Sequence, residues 1–363
     1  MSSALFSSLR LRSVEIPNRI VVSPMCMYSA SDGLPNAWHL VHLGSRAVGG
    51  AGLIIAEATA VSAGGRITPG DLGIWSDEQI EAFRPITAFI ADQGSVPGVQ
   101  LAHAGRKAGR TIPWEGNLPI PADAWGHLSA PSALPFEPEW QTPVAMDEAA
   151  MARVVDDFVM ATHRAHEAGF RVVEAHFAHG YLAHSFLSPL TNHRTDDYGG
   201  SLANRTRFPL RIVRAMRAAW PADLPLFVRL SIVDWAEGGW TLEDTVTLAG
   251  WLKEAGADLI DCSSGANVPG EAIPATPGYH AGMTAHIRAS AGIATGVVGL
   301  ISDPGMAEDF IADGTADLVF LARAMLRNPY WPREAAEALG ADNMLPIPIQ
   351  YRRAIVRRRN RTQ

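Results

Sequence analysis

The segment His176-Phe-Ala-His179-Gly-Tyr181 sets two imidazoles three positions apart and a phenol two positions further on. Two imidazoles at the end of a strand can donate hydrogen bonds to an oxygen that gains negative charge during a reaction. A phenol, with an ordinary pKa near 10, stays protonated at neutral pH and can act as an acid. The same imidazoles could hold a metal. Such a site needs three or four ligands, and no acid or cysteine beside the pair completes one, although Glu174 shares a strand face with His176. Arg229 and Arg323 each suit a fixed anion or an electron-rich oxygen, because the guanidinium fork is planar and permanently charged. Gly296 and Gly299 allow backbone amides to approach a phosphate. Together with Arg323 they suggest a phosphorylated cofactor. Cys26 and Cys262 default to small buried hydrophobes.

These residues need elements to position them. One unit recurs: a helical pattern, a glycine, about two residues, then an apolar strand. It occurs at Gly94, Gly169, Gly256 and Gly314. A glycine just past a helix takes the left-handed conformation. The short, nearly all-apolar strands that follow suit a parallel sheet buried on both faces. Helix starts are signalled by the boxes Ser76–Gln79 and Thr241–Asp244, and by Asp303-Pro304. Val154, Val155, Phe158 and Val159 share one side of a helix over 147–168. Eight strand candidates lie near Ile20–Pro24, Leu53–Glu57, Val96–Leu101, Val172–Ala175, Leu226–Leu230, Leu259–Ser263, Thr295–Val298 and Leu318–Leu321. Eight strands alternating with helices predict a single (β/α)8 TIM barrel over 1–363. A doubly wound sheet would announce itself with a Gly-rich turn after its first strand, and Ser23-Pro-Met-Cys-Met-Tyr28 is no such turn. An extended insertion after the third strand, about 106–146, carries seven Pro and three Trp and reads as lid-like. In such a barrel, Cys26, Ala58, Gln100, His176, His179, Arg229, Ser263, Gly299 and Arg323 all fall at C-terminal strand ends, where barrel enzymes build their sites.

Composition narrows the class. The 363 residues are 47% hydrophobic and 18% charged, with net charge −7. This is material for a large core and argues against disorder and against nucleic acid as a main partner. Two cysteines make no disulfide framework. No apolar run is long enough to span a membrane. The first residues lack a basic segment followed by an apolar one, so the cytoplasm is expected. The basic tail, 346–363, has six Arg and no acid from Arg352 onward, which leaves the rest of the chain at −13. Such a run is either solvated or meets an acidic neighbouring subunit or an anionic ligand.

The chain resembles the Old Yellow Enzyme family of flavin-dependent ene-reductases, and within it the bacterial class of xenobiotic reductases and NADPH dehydrogenases. The motifs that carry the resemblance are Ser23-Pro-Met-Cys-Met-Tyr28, Glu57-Ala-Thr-Ala60, Gln100-Leu-Ala-His-Ala-Gly-Arg-Lys107, His176-Phe-Ala-His-Gly-Tyr181 and Asn192-His-Arg-Thr-Asp-Asp-Tyr-Gly-Gly-Ser201. The resemblance implies a barrel with FMN at its C-terminal mouth and NADPH or NADH as reductant. Ser23, Pro24, Met25 and Cys26 would lie along the flavin, with Cys26 tuning its potential. Ala58 would sit near the ring edge, Gln100 at the pyrimidine side and Arg229 near the N1/O2 edge. Gly299, Ala322 and Arg323 would hold the phosphate. His176 and His179 would hold a substrate oxygen, Tyr28 would face the substrate, and Tyr181 would donate the proton. The implied reaction is ping-pong reduction of activated C=C bonds in α,β-unsaturated carbonyls, with nitro compounds and quinones as further substrates.

One departure concerns the phosphate pair, usually Gly-Arg and here Ala322-Arg323. The family places a C-terminal Arg in a neighbouring subunit's site. Arg352 or Arg353 matches that position, which implies a homodimer or homotetramer. Three rivals are testable. A cluster-bearing dienoyl-CoA reductase needs more thiolates than two cysteines provide. A metal-dependent barrel hydrolase or lyase would use His176 and His179 and would hold metal. A non-enzymatic flavin-binding redox sensor would not turn over enones.

Overall fold

The computed structural model describes residues 3–353. Eight parallel strands close into a barrel: β1 (Ile20–Val22), β2 (Leu53–Ala60), β3 (Val96–Ala102), β4 (Val172–Phe177), β5 (Leu226–Ser231), β6 (Leu259–Ser263), β7 (Ala294–Val297) and β8 (Leu318–Leu321). Each strand pairs with its chain neighbour, and β8 pairs with β1. Between them run α1 (Ala37–Gly49), α2 (Asp77–Asp92), α3 (Glu148–Glu167), α4 (Leu202–Ala219), α5 (Leu242–Glu254), α6 (Ala281–Ala291) and α7 (Pro304–Ala312), with α8 (Trp331–Ala338) after β8. This is the (β/α)8 barrel the repeating unit predicts.

All eight predicted strands form, shifted by a few residues at their ends. Both predicted capping boxes close, and Asp303 caps α7 with Pro304 in its first turn. The four stop glycines all adopt positive φ. Every residue of β4, β5 and β6 is buried, as a strand covered on one side by helices and on the other by the barrel interior must be.

Two features carry no periodic signal. A hairpin, Leu9–Leu11 with Val14–Ile16, closes the N-terminal end of the barrel. Arg12 ties it to Asp258 and to the Ala222 carbonyl, and Ser13 bonds Asp223. The insertion after β3 is built from single turns and one short parallel pair, Ser129–Ala130 with Val144–Ala145. Its prolines remove the donors that a longer ladder or helix would need. Residues 354–363, most of the basic tail, lie outside the described residues.

Candidate active site

The C-terminal mouth of the barrel gathers nearly all the residues picked out above. Strand register places Gln100 beside Glu174, and His176 and Asp261 on either side of Arg229. Arg229 donates through Nη1 to Ser23 Oγ at 3.2 Å. A shift of register at Glu57 turns Ala58 toward Gln100, a use of bulges common next to active sites. The Glu57 carboxylate faces the other way. It accepts from the Met27 amide at 2.7 Å and pairs with His39 Nε2 at 3.3 Å, anchoring the segment between Cys26 and Tyr28. That segment needs an anchor, because Tyr28 has φ +50°. The Cys26 sulfur lies beside the Ala58 amide and the Tyr28 hydroxyl. Burial first, then the carboxylates of Asp71 and Glu57, push the Cys26 thiol well up, so it is a thiol and no thiolate nucleophile. Pro24 and Met25 are half-buried between, and Met25 packs on the main core.

The second group follows β4. His176 is buried, and its Nδ1 has no hydrogen-bond partner in the protein. Its ring centroid is 5.1 Å from that of His179 and 5.1 Å from that of Tyr181, both edge-on. His179 has φ +60° and is held from several sides. Its amide donates to Ser231 Oγ at 2.9 Å, its Nε2 lies 2.7 Å from Ser263 Oγ, and its carbonyl accepts from Lys107 Nζ at 2.9 Å. Burial, then the nearby Arg229 charge, drive both imidazoles well down, so both are neutral and each carries one ring N–H. Burial drives the Tyr181 phenol well up, so it keeps its proton. Lys107 also lies 5.3 Å from the Tyr181 ring centroid, and burial lowers it to about 7.

Sequence reasoning missed what lies behind this turn. The Gly180 amide donates to His184 Nδ1 at 2.9 Å, and His184 Nε2 meets Asp234 Oδ1 at 2.9 Å. Asp234 Oδ2 also takes Ser188 Oγ, the Trp240 amide and Asn267 Nδ2. The signal available was weak: a histidine three residues past Tyr181, inside an apolar stretch.

The third group lies after β7 and β8. A cavity of about 150 Å³ is lined by Ser263, His280, Gly299, Ala322, Arg323 and Arg327, among others. Arg323 and Arg327 are exposed cations at its edge. A Cβ on Gly299 would stand 3.1 Å from the Tyr279 ring and from His280 Nδ1, so the wall is tight where the backbone passes. The cavity meets the second group at Ser263. Among the described residues, no three His, Cys, Asp or Glu side chains cluster as a metal site. No helix there is long and apolar enough to cross a membrane.

Residues 4–342 match the model of the NADH:flavin oxidoreductase / NADH oxidase family. The chain belongs to this family, that of Old Yellow Enzyme. An NADPH dehydrogenase of Bacillus subtilis is 47% identical over 355 residues, covering 97% of this chain and 99% of that protein. One of a Geobacillus species is 48% identical with the same coverage. Among solved structures, morphinone reductase in complex with tetrahydroNAD superposes with TM-score 0.78 at 30% identity, covering 93% of this chain and 91% of that one. A 2-naphthoyl-CoA reductase shares the fold at 24% identity with TM-score 0.84, but this chain spans only 52% of its length.

As a family member the chain is an FMN-dependent NAD(P)H oxidoreductase. Its residues fit the cofactor. A phosphate needs amides and cations at a tight wall, and the third group provides them. A pyrimidine edge needs buried polar partners, and Gln100 and Arg229 offer them at the mouth.

Proposed function

We propose that this enzyme reduces activated C=C bonds of α,β-unsaturated carbonyls, with nitro compounds and quinones as further acceptors, in a ping-pong cycle. The observation that carries this reading is the convergence of neutral His176, neutral His179 and protonated Tyr181 at one wall of the mouth. Bound FMN supplies the two-electron carrier that takes hydride from NAD(P)H and passes it on. Gln100, Ser23, Cys26, Ala58 and Arg229 hold and tune it, and Gly299, Ala322 and Arg323 take its phosphate. Ala322 keeps the amide that the usual glycine would offer.

His176 and His179 donate to the substrate oxygen. Because both are neutral, they stabilise charge as it develops without attracting an anion beforehand. Tyr28 flanks the substrate. Tyr181 holds a proton against loss to solvent and gives it to the α carbon. Lys107, bonded to the His179 carbonyl, steadies both. Trp114, edge-on to Tyr28 at 6.0 Å, and Phe136, 4.5 Å below Lys107 Nζ, bring the 106–146 insertion to the site, which supports a lid.

Tyr181→Phe tests the reading. Enone reduction should slow by about 10², while NAD(P)H oxidation with a quinone acceptor stays near that of the parent. Equal loss in both assays would refute the assignment. The exposed Trp38, Val41, Leu326, Ile349 and Tyr351 and the exposed Arg352 and Arg353 support a homodimer or homotetramer. Sedimentation equilibrium giving a monomer would overturn that part.

A further inference from the structure

Beside Gln100 and Arg229, the barrel interior holds two buried carboxylates, Glu174 and Asp261, that the steps above do not use. Gln100 on β3 pairs in register with Glu174 on β4, and Arg229 on β5 with Asp261 on β6. Glu174 and Asp261 are both 0% exposed. Gln100 Nε2 donates to Glu174 Oε1 at 2.8 Å, which leaves the Gln100 carbonyl oxygen as the atom free to face a ligand. Arg229 Nε stands 3.1 Å from Asp261 Oδ2. Glu174 Oε2 and both Asp261 oxygens have no hydrogen-bond partner, so Asp261 meets Arg229 as an ion pair without a directed hydrogen bond.

Two buried carboxylates therefore lie around a single guanidinium: Asp261 forms an ion pair with it, while Glu174 is bonded to Gln100 and feels its charge without contact. With both ionised, the group would carry an uncompensated negative charge away from water, and buried groups neutralise rather than accept that. The groups facing Glu174 are Gln100 from β3, Arg229 from β5, Asp261 from β6 and, along its own strand, the neutral His176. Gln100 and Arg229 offer no site for a proton, and burial with the Arg229 charge holds His176 neutral.

We propose that Glu174 and Asp261 together hold one proton beside Arg229, carried on Glu174, and that at alkaline pH Glu174 recovers this proton from solvent when FMN is reduced. The two carboxylates are thus positioning residues that set how much of the Arg229 charge reaches the cofactor. Burial, then the Asp261 charge, push Glu174 up to about 8. Burial raises Asp261 to about 6 against the pull of Arg229. Asp261 is accordingly the ionised partner of Arg229, and Glu174 is the proton holder.

Two-electron reduction places one negative charge beside Arg229 and uses one proton on the flavin. That charge raises the proton affinity of Glu174. Between the Glu174 pKa values of the oxidised and reduced enzyme, reduction then draws two protons; below that window it draws one. Each proton per two electrons contributes about 30 mV per pH unit to the midpoint potential.

The experiment is spectroelectrochemical titration of the holoenzyme from pH 7 to 10. The expected slope is about 30 mV per pH unit near pH 7, steepening to about 59 mV above pH 8. Glu174→Gln should hold about 30 mV throughout. Asp261→Asn removes the charge that raises Glu174, so its steep segment should move to lower pH. A wild-type slope of about 30 mV over the whole range, or a steep segment kept in Glu174→Gln, would overturn the proposal. If Glu174→Gln does not fold, wild type and Asp261→Asn still decide. The inference rests on the proposed placement of FMN beside Gln100 and Arg229. That placement fails separately, if Gln100→Ala and Arg229→Lys leave FMN affinity and potential unchanged.

Discussion

Asp234→Asn tests whether the turn that carries His179 and Tyr181 is held from behind. The carboxylate is buried and accepts from Ser188, Trp240, Asn267 and His184. His184 Nδ1 takes the Gly180 amide, so Nε2 must carry the ring proton and donate to Asp234. An Asn can keep its oxygen toward Ser188 and Trp240 only by turning an NH2 against His184 Nε2–H. Breaking a buried ion pair or charge-assisted network from one side costs about 3–5 kcal/mol. With an unfolding entropy of about 2.1 cal/mol/K per residue, 363 residues give about 0.76 kcal/mol/K. The melting temperature should then fall by about 5 °C. A pH series adds a signature. Burial pushes Asp234 up, but His184, Ser188 and the Trp240 amide outweigh it and hold the carboxyl down to about 2. A depressed folded-state pKa stabilises above the unfolded value near 4 and loses that contribution as pH falls through about 2. At 1.36 kcal/mol per unit, that contribution is about 2–3 kcal/mol. The variant should lack this part of the acid transition. Thermal melts followed by circular dichroism between pH 2 and pH 7 measure both effects. A variant melting within about 1 °C of wild type at pH 7 would refute the reasoning.

Cys26→Ala should shift the flavin midpoint potential without releasing FMN, because the thiol lies beside Ala58 and Tyr28 and lines no part of the phosphate cavity; spectroelectrochemistry giving an unchanged potential would contradict this. Gly180→Ala places a Cβ 2.4 Å from the Ala266 carbonyl oxygen at φ +73°, so it should lose about 3 kcal/mol of stability and at least tenfold of enone reduction. Denaturant melts and turnover check it, and full activity would mean that the turn tolerates movement.

The barrel was legible because its signals are local and repeated. The four stop glycines, the two boxes and the apolar strands each report a few adjacent residues, and they agree with one another. The site residues were legible for a different reason: the strands deliver them to one end by alternation alone. The network His184–Asp234–Asn267 was not legible, since its members come from a short helix after β4 and two separate loops and meet only in the folded chain. Glu57 stood in a quoted motif, yet its role depends on a register shift that no periodicity shows. The hairpin 9–16 and the short pair in the insertion are too brief for an alternating pattern to register.

A charge argument links the groups at the mouth. His176 and His179 are kept neutral by burial and by the positive Arg229. Arg229 is itself matched by Asp261. The net charge around the cofactor site therefore depends on whether Glu174 holds its proton, and the substrate wall adds only Lys107, which burial lowers to about 7. Negative charge arriving on the cofactor finds Arg229 already paired, so its stabilisation depends on the carboxylates giving way. Negative charge arriving on a substrate oxygen finds only neutral donors. The two charge-accepting positions are thus handled by different means, ions at one and dipoles at the other. A substitution among the carboxylates should register first in the potential, and one at the substrate wall first in the rate of substrate reduction.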